Sequence, residues 1–177
     1  MATCFVIQPF DGGGKYDKRF RDIYKPAVEA AGLEPYRVDK DASVMVPIDS
    51  IEQRIRSSAV CLADITTDNP NVWYELGFAF AADRPVVMVC SRERVGKYPF
   101  DIQHRTVIPY ESDSSSDFDA LKASLTEKLT AVLKQSQTLA KIAEADPLVK
   151  VKGLGQLEMI VLGILAGDSS PSGLYAC

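Results

Sequence analysis

Five short strand-like segments, most of them almost continuously apolar, lie in the first 110 residues, and segments with helical spacing separate them. The strand-like segments span residues 4–7, 33–38, 59–63, 85–90 and 106–110. Strands without polar alternation are typical of parallel sheets that are buried on both faces, and their alternation with helices is typical of right-handed crossover connections. The sequence therefore predicts an α/β fold in which helices cover both faces of a five-stranded parallel sheet.

Apolar residues at intervals of three and four predict four helices between and after the strands. They cover residues 17–31, a segment marked by Ile48, Ile51 and Ile55, residues 71–82 and residues 117–139. Pro26 inside the first pattern predicts a kink or a late helical start, because proline lacks the N–H that an interior helical position donates. The composition changes near residue 146, so we predict one domain over residues 1–137 and a short helical extension over residues 138–177.

The composition favours a small ligand over a nucleic acid or a membrane. The chain has 177 residues, a hydrophobic content of 46% and a formal net charge of -4, so it offers no broad basic face for a phosphate backbone. No apolar stretch approaches the roughly 18 to 20 residues that span a bilayer. Cys4, Cys61 and Cys90 lie in apolar segments without metal-type spacing, which predicts buried thiols in a reducing compartment. We therefore predict a cytoplasmic protein without membrane or nucleic-acid contact.

Metal and hydrolytic-triad chemistry find no support in the sequence. His104 is the sole histidine, and no cluster of histidine, aspartate or cysteine accompanies it. A nucleophile elbow of the Gly-x-Ser-x-Gly type is absent from the sequence. We predict neither a metal site nor a cofactor.

Glu75 is an acid within an apolar helical segment. Between Val72 and Ala82 the only ionisable side chains are Tyr74 and Glu75. Core helices rarely accept an unpaired carboxylate, because burial removes it from water. Either a nearby donor satisfies Glu75 as a structural group, or Glu75 faces a pocket and takes part in chemistry.

Polar side chains follow the predicted strands where a parallel sheet binds its ligands, beyond the carboxyl ends. Asp64 ends the third strand and either reaches the same pocket as Glu75 or braces a loop or helix. Asn69 and Asn71 precede Glu75 by six and four residues, so each can cap the helix or line the cleft with the acid. Trp73 is predicted to form core and pocket wall.

A glycine-rich segment follows the first strand. The segment reads Asp11-Gly12-Gly13-Gly14-Lys15. It does not have the residue spacing of a Walker phosphate-binding loop. The backbone amides of this loop either receive a phosphate or form a loose surface turn. We include Asp11, Gly12 and Gly13 among the candidate substrate contacts.

An acid in a water-poor cleft, with a second acid and amides nearby, suits chemistry at a glycosidic carbon. One carboxylate attacks or stabilises the sugar cation while neighbouring groups hold the leaving base. We predict that Glu75 is this nucleophile or cation stabiliser, with Asp64 and Asn69 orienting the substrate.

These motifs resemble the nucleoside 2-deoxyribosyltransferase-like superfamily, which shares a flavodoxin-like architecture with TIR domains and TIR-like NAD-cleaving modules. The resemblance rests on Gln8-Pro9-Phe10 after the first strand, on Asp64, on the segment Asn69-Pro70-Asn71-Val72-Trp73-Tyr74-Glu75-Leu76-Gly77 and on Pro99-Phe100-Asp101-Ile102. It covers roughly residues 3–135 and implies a doubly wound, flavodoxin-like sheet. It also makes Gln8 and Phe10 candidate substrate contacts.

The resemblance implies that Glu75 has the role of the family's glutamate, which takes the deoxyribosyl group in transferases and serves nicotinamide cleavage in TIR enzymes. Asn69 stands where transferases carry an aspartate, which favours hydrolysis or binding of a nucleotide, nucleoside or NAD over base transfer. The alternatives are a nucleotide sensor without turnover and a TIR-type self-association module. A homodimer or higher homo-oligomer, and a role in antiviral defence, are also implied.

The C-terminal segment resembles a different family. Residues 154–165 and 172–175 are similar to the first helix and turn of a PadR-like winged helix. The sequence ends before any recognition helix, so we predict a truncated winged-helix start or a dimerising tail without DNA contact.

Overall fold

A computed structural model describes residues 2–38 and 48–145, and it confirms the predicted parallel sheet. The strands are β1 (Thr3–Ile7), β2 (Glu34–Tyr36), β3 (Val60–Asp64), β4 (Val86–Ser91) and β5 (Val107–Tyr110). Every pairing is parallel, in the order β2-β1-β3-β4-β5. This order is that of the flavodoxin-like, doubly wound fold.

The four helices predicted between and after the strands are all present, near their expected bounds. They are α1 (Lys15–Arg19), a π-helical turn (Phe20–Tyr24), α2 (Lys25–Ala30), α3 (Ile48–Ser57), α4 (Pro70–Ala81) and α5 (Ser115–Ala145), with a 3-10 turn at Phe100–Ile102. The largest difference is in α5, which continues for a further turn and a half beyond the predicted end at residue 139.

Pro26 acts as the sequence predicted, by distorting the first helix. The π-helical turn immediately precedes the proline, and the N–H of Lys25 bonds to the carbonyl of Phe20, five residues back. An interior proline cannot donate to the carbonyl four residues before it, and its ring crowds that carbonyl. Widening the preceding turn lets the helix continue past the proline.

Two apolar clusters fill the two sides of the sheet. One joins the strands to α2 and α5, and the other joins them to α3 and α4. Alternate residues of β3 pack into the two clusters. Val60 and Leu62 belong to the cluster with α2 and α5, whereas Cys61 and Ala63 belong to the cluster with α3 and α4. Burial on both faces explains why the strands lack polar alternation. Cys4, Cys61 and Cys90 are buried free thiols, as predicted.

Residues Met1–Lys134 form one compact unit and Gln135–Cys177 a second. The predicted boundary at residue 137 stays a prediction. The predicted helical extension beyond residue 145 and the winged-helix resemblance fall outside the described residues. Within residues 2–38 and 48–145, no helix combines the length and the apolar character that a membrane crossing requires.

Candidate functional site

The carboxyl ends of β1 and β3 lie side by side in the sheet, and the chain leaves them toward opposite faces. The chain after β1 enters α1, which leads into the helix that packs on one face, whereas the chain after β3 enters α4 on the other face. In open α/β sheets this divergence produces the crevice in which ligands bind. Gln8 directly follows β1, Asp64 ends β3, and Asn69 precedes the first residue of α4.

Asp64 is buried at the end of β3, and both of its carboxylate oxygens are already engaged. Oδ2 accepts hydrogen bonds from Arg19 Nη1 at 3.1 Å, Tyr24 Oη at 2.6 Å and Tyr110 Oη at 3.2 Å. Oδ1 accepts from the backbone N–H of Thr66 at 3.0 Å and from the hydroxyl of the same residue. Asp64 is 1% exposed, so these contacts favour its bracing role over direct contact with a substrate.

Loss of the Asp64 charge leaves Arg19 as an uncompensated buried cation. We expect Asp64→Asn to lower the free energy of unfolding by about 3–5 kcal/mol, because the guanidinium keeps its desolvation cost without its counter-charge. Urea unfolding at pH 7 measures this difference. The matched control is Asp22→Asn, which removes an exposed acid paired with Arg21 and is expected to change nothing measurable. Equal effects of the two variants would contradict the bracing role.

Glu75 presents the opposite case, since it is a buried acid that no residue of the described ranges pairs. It is 6% exposed on the buried face of α4, next to Leu76 and one turn from Val72 and Ala79. Among residues 2–38 and 48–145, no group forms a hydrogen bond or ion pair with its carboxylate. The sequence leaves two alternatives for Glu75, and its role as a structural group requires a nearby hydrogen-bond donor. The described part of the chain provides no such donor.

Burial alone raises the pKa of Glu75 to about 7. Burial raises the pKa of the Cys61 thiol in β3 to about 12; the positive charge of Arg84 opposes this rise, and the charge of Glu75 adds to it. A carboxyl group whose pKa is near neutrality can change its protonation state readily at physiological pH, which is what acid–base and nucleophilic roles require.

The raised pKa of Glu75 makes folding stability fall as the pH rises. The folded protein retains the Glu75 proton up to pH 7, whereas the unfolded chain releases it near pH 4.5. Stability is therefore lost between these values, by up to about 3 kcal/mol. Glutamine cannot ionise, so we expect Glu75→Gln to be more stable than the parent at pH 8 by about this amount and similar to it at pH 4.5.

Chemical unfolding at the two pH values measures the effect. Glu127→Gln, at an exposed position of α5, is the control and is expected to show no such pH dependence. A parent protein that is more stable than Glu75→Gln at pH 8 would show that Glu75 has a partner.

Asp64 and Glu75 lie toward opposite faces of the sheet, so the contacts favour the bracing alternative for Asp64 over a pocket shared with Glu75. Asp64 bonds to Tyr24 and Tyr110, which belong to the apolar cluster beneath α2 and α5. Glu75 lies on α4 near Cys61, on the opposite face of the sheet. The period of two along β3 separates them, because Asp64 follows the orientation of Val60 and Leu62.

Asn69 begins the helix that carries Glu75. Its Oδ1 accepts hydrogen bonds from the N–H groups of Asn71 at 2.9 Å and Val72 at 3.3 Å, and Pro70 occupies the first helical turn. Capping therefore falls on Asn69 rather than on Asn71, whose side chain is exposed. Because the cap uses the carbonyl oxygen of Asn69, its NH₂ group is the part that can contact a ligand. Trp73 is half-buried against the apolar cluster that contains α3 and α4, and its role as a pocket wall stays a prediction.

Gln8 and Phe10 follow β1 and differ in exposure. Gln8 is 2% exposed and donates from Nε2 to the carbonyl of Tyr16 at 3.0 Å, while its Oε1 has no partner in the part of the chain that the structure describes. Phe10 is 47% exposed and lies over the guanidinium of Arg37 at 5.6 Å. Phe10 is thus the more accessible of the two candidate contacts.

Two aspartates hold the glycine-rich loop in place. Asp11 accepts from the N–H groups of Tyr16 at 2.7 Å and Asp17 at 3.1 Å, at the start of α1. Asp17 accepts from the N–H of Gly13 at 2.8 Å. Gly12 and Gly13 adopt positive φ angles of 58° and 99°, which favour glycine. Carboxylates of the chain itself thus occupy amides that a phosphate would need, and the loop is an ordered turn rather than a loose one.

Sequence reasoning missed two groups of contacts. The hydroxyls of Tyr24 and Tyr110 come to Asp64 from positions 40 and 46 residues away, so no local pattern could indicate them. Arg94, in the loop after β4, is buried against the start of α4. A single arginine between two loops carries no signal in one sequence.

Comparison with known protein families found no match, and comparison with curated protein sequences found no relative. Solved structures share the fold. The CMP N-glycosidase BcmB of Clostridium botulinum matches 69% of this chain and 98% of its own, with a TM-score of 0.50 and 16% identity. The TIR domain of the Toll-related receptor TRR-2 of Hydra magnipapillata matches 73% of this chain and 98% of its own, with a TM-score of 0.54 and 11% identity. A diflavin flavoprotein A3 of Nostoc sp. matches 77% of this chain and 96% of its own, with a TM-score of 0.52 and 9% identity. The chain therefore has the flavodoxin-like fold that these structures share.

Proposed function

We propose that the protein cleaves the N-glycosidic bond of a nucleotide, a nucleoside or NAD, with Glu75 at the reacting carbon. One observation carries this proposal: Glu75 is a buried carboxyl group that no described residue pairs. A partnerless acid costs stability, and such costs are concentrated at sites where the group has a task. Positive charge developing on a ribosyl carbon is a partner that such a carboxylate would stabilise strongly in a water-poor site.

The reaction places defined demands on the residues. The bond between the sugar C1′ and the base nitrogen breaks, and its electron pair leaves with the base. The ionised Glu75 carboxylate stabilises the resulting cation or bonds to C1′, and water then supplies the hydroxyl group of the free sugar while its proton is released. A pKa near 7 allows Glu75 to be ionised in a large share of molecules at neutral pH.

The other candidate residues have supporting roles in this proposal. Asn69 offers its NH₂ group to the substrate, and Gln8, Phe10 and Trp73 provide further contacts. Asp64 holds the end of β3 through Arg19 rather than touching the substrate. An amide at Asn69 cannot donate a proton as an acid can, so we propose hydrolysis rather than base transfer. The fold shared with a CMP N-glycosidase supports the proposal at the level of architecture.

Release of free base tests the proposal. The protein is incubated separately with NAD, CMP and deoxynucleosides, and free base is quantified by chromatography. We expect release from at least one of them, and we expect Glu75→Gln to slow it by at least about 10³-fold, since the substitution removes the charge that the transition state requires. Glu127→Gln is the control and should retain the parent rate. Absence of release from every substrate, or equal rates for the parent and Glu75→Gln, would contradict the proposal.

A second candidate is a nucleotide sensor that binds its ligand without turnover. It is favoured by one observation, that no charged side chain among the described residues perturbs Glu75, so no second acid assists it there. Calorimetric binding of a nucleotide that is recovered unaltered would support this candidate. Self-association as a homo-oligomer and a role in antiviral defence stay predictions.

A further inference from the structure

Arg94 connects the loop after β4 to both ends of the segment that leads into α4. Its Nη1 donates to the carbonyl of Ile65 at 2.9 Å, and its Nη2 donates to Asp68 Oδ1 at 2.6 Å and to the carbonyl of Lys97 at 3.3 Å. The side chain is 5% exposed. Ile65 directly follows β3, and Asp68 directly precedes the helix cap Asn69. One guanidinium thus bonds to the beginning and the end of the link between β3 and α4.

Two aromatic rings flank the same guanidinium. Its central carbon lies 5.8 Å from the ring centroid of Trp73 and 5.5 Å from that of Tyr98. Trp73 belongs to the first turn of α4, so this contact extends the connection from the loop into the helix itself. A planar, delocalised cation is suited to such a position, because it forms several directed hydrogen bonds while its faces contact rings.

We propose that Arg94 is a positioning residue that fixes the entry of α4 and thereby the placement of Glu75. Glu75 lies six residues after Asn69, so a change in the direction of the first turn moves the carboxylate along with the helix. The hydrogen bonds of Arg94 go to the loop that precedes α4 and to its own loop after β4, and its effect on Glu75 is transmitted through the helix. An effect of Arg94 on the reaction rate rests on the proposed function, whereas an effect of Arg94 on the burial of Glu75 does not.

The experiment combines Arg94 and Glu75 variants in a double-mutant cycle. Arg94→Met keeps the length of the side chain without its charge, and Arg94→Lys keeps the charge without the planar fork. Arg92→Met is the matched control, because Arg92 lies in the same loop but pairs with Glu111 on the surface. Each substitution is made alone and together with Glu75→Gln, and urea unfolding midpoints are measured at pH 8.

At pH 8, Glu75→Gln is expected to raise the urea concentration at the unfolding midpoint, and we call this increase the gain. We expect the gain to fall to less than half when Arg94→Met is also present. Loss of the Arg94 contacts releases the start of α4 and lets water reach the Glu75 carboxylate, so that replacing the carboxylate no longer stabilises the protein as much. The gain is expected to fall by a smaller amount with Arg94→Lys and to stay unchanged with Arg92→Met. An unchanged gain in the Arg94→Met background overturns the inference. If Arg94→Met does not fold, an unchanged gain in the Arg94→Lys background overturns it.

Kinetics provide a second measurement on whichever of NAD, CMP or the deoxynucleosides the parent cleaves. We expect Arg94→Met to lower kcat at least about 10-fold with KM changed less than about threefold, since a displaced catalytic group impairs the reaction step more than binding. A change in KM alone overturns the positioning role. If the parent cleaves none of the substrates, the proposed function fails while the unfolding cycle still decides the inference.

Discussion

The ion pair of Asp64 and Arg19 is the constraint on which the carboxyl edge of the sheet depends. Two charges in the interior carry a desolvation cost of several kcal/mol each unless their geometry and remaining hydrogen bonds compensate. Here the hydroxyls of Tyr24 and Tyr110 and the backbone of Thr66 complete the shell of the carboxylate. Arg19 belongs to α1, Tyr24 to the π-helical turn and Tyr110 to β5, so one carboxylate connects three elements to the end of β3.

Glu75 and Asp64 show how the same functional group acquires different roles from its surroundings. Asp64 is surrounded by donors, and its charge is bound into the structure. Glu75 is buried and receives no hydrogen bond from the part of the chain that the structure describes, and burial raises its pKa to about 7. A carboxylate that the fold has already satisfied contributes rigidity, whereas an unsatisfied one retains the capacity to stabilise an external positive charge. Arg94 also contributes rigidity, because its hydrogen bonds hold the loop that leads into the helix of Glu75.

Much of the fold follows from local patterns in the sequence. The apolar segments predict the strands because both faces of the sheet are covered, and Pro26 predicts the distortion that the π-helical turn provides. Asn69 was one of two candidate caps, and the geometry of the first turn selects it. The isolated acid of α4 is recognisable because its neighbours along the helix are apolar.

The relation between the two acids could not be predicted in the same way. Asp64 lies at the end of a strand that leads into α4, which suggested a shared cleft with Glu75. Its orientation depends on which helices cover which face, and its partner Arg19 is 45 residues away. Both facts are tertiary, and one sequence contains no local signal for them. The same holds for Arg94, whose partners Ile65 and Asp68 are 29 and 26 residues earlier.

The central claim is that Glu75 is a desolvated and unpaired acid, and its titration tests this most directly. The side-chain carboxyl carbon of Glu75 can be followed by ¹³C NMR from pH 4 to pH 9, with assignment from the Glu75→Gln spectrum. Our account predicts a midpoint of about 7. A midpoint near 4.5, the ordinary value for a glutamate, would show that water or a hydrogen-bond donor already stabilises the charge, and it would contradict the account.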